Sequence, residues 1–85
     1  MEPLDPWEIR AVERVARRGR QLMGIMSARG VGPSAQLRAA YRDFEAAAAT
    51  VGHHSTLEEW RRAGELCARC VALMEWALDD DDSRN

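Results

Sequence analysis

The chain has 85 residues, with 14 acidic and 12 basic side chains and a formal net charge of -2. This length admits one domain with a small core, and the balanced charge excludes a polycation built to coat nucleic acid or an acidic mimic of it. Apolar residues make up 46% and charged residues 31% of the chain, which is the balance of a folded globular protein.

The first predicted element is a helix over 6–29. Asp5 suits the N-cap, Pro6 the first helical position, and Glu8 completes an Asp variant of the capping box. Leu4 and Ile9 are spaced to close a hydrophobic staple across that cap. Two three-four series then merge into one wide apolar face: Val12, Val15, Gly19, Leu22, Met26 and Ile9, Val12, Ala16, Gly19, Met23, Met26. The opposite face carries Arg10, Arg14, Arg17 and Gln21. Gly30 is the expected C-terminal glycine.

The second helix is predicted over 34–51, after the Gly32-Pro33-Ser34 restart. Its apolar stripe reads Leu37, Ala40, Tyr41, Phe44, Ala48, Val51, and Gly52 ends it. The alanines at 46–49 favour helix and add little bulk.

His53-His54 links to a third helix over 56–79. Either Ser55 with Glu58 or Thr56 with Glu59 forms its capping box. Leu57, Trp60, Gly64, Cys67, Val71, Met74 and Leu78 follow a strict three-four spacing, the cleanest periodicity in the chain. Asp79, Asp80, Asp81 and Asp82 oppose the helix dipole at its C-terminal end, so 80–85 is expected as a mobile acidic tail. β-branched residues are sparse and period-two alternation is absent, so no strand is predicted.

The expected fold is therefore all-α: a single domain, 1–85, forming a three-helix antiparallel bundle. Gly19 and Gly64 sit mid-stripe on the first and third helices, which predicts that these helices cross near that pair.

Charge is segregated along the chain. Residues 7–29 hold six Arg against two Glu, whereas 56–85 holds four Arg against eight acids. The two ends can attract each other within one molecule or between copies. All 12 basic residues are arginine, which excludes chemistry that needs a lysine, such as a Schiff base or a P-loop lysine.

Candidate chemistry is limited. His53, His54, Cys67 and Cys70 are the only His and Cys residues. Two plus two fits a zinc site by type, but Cys67 lies 12 residues beyond Ser55. At 1.5 Å per residue the separation is about 18 Å, far beyond metal-ligand reach. The CxxC spacing of Cys67 and Cys70 falls in mid-helix, away from the helix N-terminus that activates such pairs, so both read as reduced core cysteines. Neither metal nor cofactor is expected. Both His residues share one link, so no Ser-His-Asp set can be placed and the chain reads as non-catalytic.

Two surfaces remain. Trp76 falls roughly 180° from Cys67 on a wheel of 100° per residue. With Leu66 and Leu73 it outlines a second apolar patch on the third helix, and Trp7 belongs to the same kind of surface. A lone small bundle would leave this patch wet, which points to a protein partner or a homodimer. Arg10, Arg14, Arg17 and Arg18 form an anion-binding or acidic-partner face, and nucleic acid bound by a dimer is the alternative use of it. The longest uncharged run, 46–57, is too short and polar to span a bilayer. The N-terminus lacks a basic and apolar leader pattern, so a cytoplasmic protein without membrane attachment is expected.

Overall fold

The computed structural model describes residues 6–52 and 55–84 as three helices in an elongated bundle of 51 × 22 × 16 Å. They are α1 (Pro6–Arg29), α2 (Ala35–Thr50) and α3 (Leu57–Arg84). The all-α three-helix bundle expected from periodicity is the observed architecture. Leu4 and Asp5 of the predicted staple and cap, and the His53-His54 link, lie outside the described residues.

Local chemistry explains each boundary. Gly30 adopts φ +69°, the left-handed region that closes α1. Val31 N–H donates to Met26 O at 2.9 Å and Gly30 N–H to Ser27 O at 3.2 Å, the two bonds of a Schellman cap. Val31 then packs on the core, fixing the direction of exit. Ser34 is the N-cap of α2, its Oγ accepting from Leu37 N–H at 3.1 Å. Val51, not Gly52, is the C-cap of α2, in an extended conformation. Of the two capping boxes offered for α3, the structure uses Thr56, whose Oγ1 accepts from Glu59 N–H at 3.1 Å. Ser55 serves the preceding turn instead, accepting from Gly52 N–H at 2.6 Å.

The end of α3 departs from the expected boundary at 79. The helix continues to Arg84, so residues 80–84 of the expected mobile tail are helical. Arg29 at the end of α1 donates to Asp81 at 2.7 Å and also to Asp82, supplying positive charge where the row of acids opposes the helix dipole. Ser83 Oγ adds a bond to Asp79 O at 3.0 Å.

Successive helices run in opposite directions, so α1 and α3 are parallel. Glu8 meets Arg61 at one end and Arg29 meets Asp81 at the other. Arg18 and Glu75 pair between them at 3.5 Å. The basic and acidic ends of the chain thus attract one another within the molecule.

Helix α3 is the centre. Both α1 and α2 pack along it, yet no Cα of α1 lies within 8 Å of a Cα of α2. The core joins Leu22 and Met26 of α1, Leu37 and Ala40 of α2, and Cys70, Met74 and Leu78 of α3. On α2 the inward stripe is Leu37, Ala40, Phe44, Ala47, Val51. Tyr41 and Ala48, expected inside, are exposed.

The two mid-helix glycines do not meet. A Cβ on Gly64 would lie 3.0 Å from Val12 Cγ2, while one on Gly19 would lie 3.6 Å from Val71 Cγ2 and 3.7 Å from Met74 Cε. Each glycine receives a valine of the other helix. The predicted single crossing is two reciprocal close approaches, because parallel helices put residues near 12 opposite 64 and residues near 19 opposite 71.

Candidate functional site

The arrangement leaves an open groove between α1 and α2, with α3 as its floor. Its volume is about 700 Å³. Buried Cys67, Cys70 and Met74 of α3 form the floor. Ala16, Gly19, Met23 and Met26 form the α1 wall, and Leu37, Tyr41 and Phe44 the α2 wall. The Tyr41 and Phe44 rings lie 6.3 Å apart and tilted by 52°, a favourable aromatic geometry. Met23 keeps 46% and Tyr41 38% of its surface in solvent, so apolar area reaches the rim.

Three exposed guanidiniums border this groove: Arg20 on α1, and Arg38 and Arg42 one turn apart on α2. Among the described residues none of the three forms an ion pair, and no carboxylate lines the groove. Glu45 acts on the Tyr41 hydroxyl from outside the lining. Burial, and then Glu45, push the Tyr41 phenol above its ordinary range.

The two floor cysteines are free and buried, as the sequence reading expects. Burial raises both thiols above the ordinary range, with Arg20 opposing the rise at Cys67. Each is therefore a protonated thiol at neutral pH and a poor nucleophile. Among the described residues no three His, Cys, Asp or Glu side chains are grouped to hold a metal ion.

The residues singled out in the sequence fall at separate places. Trp76 is 65% exposed on the outer side of α3. Leu73 packs against the core cluster and Leu66 is half-buried, so the fold covers part of the patch that surrounds Trp76. Trp7 is 63% exposed and borders a smaller cavity of about 180 Å³ near the start of α1, with Glu8, Val12, Trp60 and Arg61. There Glu8 Oε1 accepts from Arg61 at 2.9 Å, while Glu8 Oε2 and Trp60 Nε1 are buried without a partner among the described residues. Arg10, Arg14 and Arg17 are exposed, and Arg18 leans onto Glu75.

Sequence reasoning did not find the groove. Its walls read as core stripes; the width of the α1 apolar face and the placing of Arg38 and Arg42 beside Tyr41 are the signals that could have found it. No helix of the described residues is long and apolar enough to cross a membrane. The chain matches no known protein-family model, and no curated protein or solved structure shows significant similarity to it.

Proposed function

We propose that this chain is a small non-catalytic interaction module that takes a segment of a partner protein into the groove between α1 and α2. The observation that carries the reading is the separation of α1 and α2 across an apolar floor. Large apolar side chains at a rim are a recurrent mark of a protein interface. Methionines at the wall adapt to varied partners because their side chains are unbranched and polarisable. The protonated state of Cys67 and Cys70 supports binding over nucleophilic chemistry. Their free thiols also suit a reducing, cytoplasmic setting.

A displayed peptide library panned on the intact protein tests the reading. Binders should emerge whose affinity falls at least about tenfold with Met23→Asp or Tyr41→Asp, since both side chains are solvent-accessible and their loss spares the core. Circular dichroism checks that the variants fold. Failure to select any binder, or binders indifferent to both substitutions, would refute it.

Arg10, Arg14 and Arg17 support a second reading, a dimeric nucleic-acid-binding regulator, because all three stay exposed while Arg18 and Arg29 are engaged by acids. A gel shift with salt titration decides it: binding through phosphate contacts weakens steeply as salt rises.

A further inference from the structure

We infer that the occupant of the groove is an acidic amphipathic helix of a partner protein, an inference that rests on the interaction-module reading above. Helix α3 packs against both α1 and α2, which do not approach each other, and the groove between α1 and α2 is open to one further helix. On the α1 side the lining runs from Ala16 to Ser27. At 1.5 Å per residue that is about 16 Å, or three turns of helix. An amphipathic helix laid there buries its apolar face on Met23, Tyr41 and Phe44, as helices do in hydrophobic grooves.

Charge selects the kind of helix. Arg20 stands on one wall and Arg38 and Arg42 on the other, with no carboxylate in the lining. A helix whose flanks carry Asp or Glu places an acid toward each wall, and Arg favours such bidentate pairing. The chain's own helices fit poorly. Helix α1 is net basic, and α2 carries two Arg against two acids. The acidic helix, α3, already spends its apolar stripe on α1 and α2. An anionic acyl chain presents one charge at one end, whereas the three guanidiniums are spread over both walls.

The test uses the full chain and a fluorescent synthetic helix of about 15 residues, with Leu at three-four spacing and Glu on both flanks. A second peptide replaces every Glu with Lys. Fluorescence anisotropy should show the Glu peptide binding at least about tenfold more tightly than the Lys peptide. The double variant Arg38→Glu, Arg42→Glu should reverse that preference, and both substituted residues are at exposed positions that leave the fold intact. The Glu peptide should also slow alkylation of Cys67 and Cys70, which form the floor.

Equal binding of the two peptides, or a preference untouched by charge reversal, overturns the inference. So does a concentration-dependent dimer that excludes the peptide, or laurate binding in the peptide's place. If library-selected peptides bind through Tyr41 while the Glu peptide does not, the charge argument fails and the interaction module stands. If neither binds, both fail.

Discussion

Gly19 and Gly24 of α1 and Gly64 of α3 differ in what surrounds them, and that difference makes a quantitative test of the α1–α3 packing. Replacing Gly by Ala inside a helix gains about 1 kcal/mol of backbone propensity. Nothing lies within 4 Å of a Cβ at Gly24, so Gly24→Ala measures that gain alone. At Gly19 the added methyl would touch Val71 and Met74 at 3.6 and 3.7 Å, ordinary contact distances. Burying it there adds a further fraction of the roughly 0.8 kcal/mol associated with a buried methylene. At Gly64 the methyl would lie 3.0 Å from Val12 Cγ2. Val12 is β-branched and has little rotamer freedom in a helix, so relief requires the helices to move apart.

Overpacking of that kind costs about 1–3 kcal/mol. Set against the propensity gain, Gly64→Ala should be destabilising by up to about 2 kcal/mol. For a domain of this size, 1 kcal/mol corresponds to about 4–8 °C in Tm. Thermal unfolding followed by circular dichroism should therefore rank Gly19→Ala at or above Gly24→Ala, both above wild type, and Gly64→Ala below Gly24→Ala. In a Val12→Ala background, Gly64→Ala should become stabilising by about 1 kcal/mol, because only propensity remains. If Gly64→Ala in wild type raises Tm as much as Gly24→Ala, the close approach of α1 and α3 at Val12 is wrong.

Other perturbations probe the caps, the thiols and the surfaces. Ser34→Ala should cost about 1 kcal/mol by removing the acceptor for Leu37 N–H, and Gly30→Ala a similar amount because its φ is +69°; urea unfolding reads both. Burial lifts the Cys67 and Cys70 thiols and the Tyr41 phenol, so the native state holds these protons to higher pH than the unfolded chain does. Stability should be level below the ordinary thiol range and fall as pH rises through it, and Cys67→Ala with Cys70→Ala should flatten that alkaline limb. An unchanged limb would contradict the burial of the thiols. Arg29→Ala should speed amide exchange at 80–83, since Asp81 and Asp82 lose their contacts with a cation at the end of α1; unchanged exchange would separate the α3 end from that contact. Light scattering of wild type and Trp76→Ala tests self-association through the exposed Trp76. A dimer lost on substitution assigns that surface to the homodimer, and a monomer in both cases rules it out.

Much of the fold was legible because its signals are local. Proline, serine and glycine at helix ends, and the three-four series through Cys67 and Met74, depend only on neighbours within a turn or two. They placed α1 at 6–29 and put α2 within a residue of its observed ends. The end of α3 was not legible, since the cation that meets its acids is Arg29, 52 residues from Asp81 in sequence. Nor was the fate of Leu73, which a wheel places beside Trp76 but which packs on the core.

What the sequence by itself determined is three amphipathic helices, their direction of travel, and opposite charge on the first and last. Only the tertiary structure decided that α3 lies in the middle and that α1 and α2 stay apart. Helical periodicity says which face of a helix is apolar, but not which neighbour covers it. That choice is made by side-chain volumes meeting across the chain: Val12 seating at Gly64, Val71 at Gly19, and α2 covering the side of α3 that α1 leaves free. Where no fourth element among the described residues remained to cover Met23, Tyr41 and Phe44, apolar surface that reads as core became the walls of a groove.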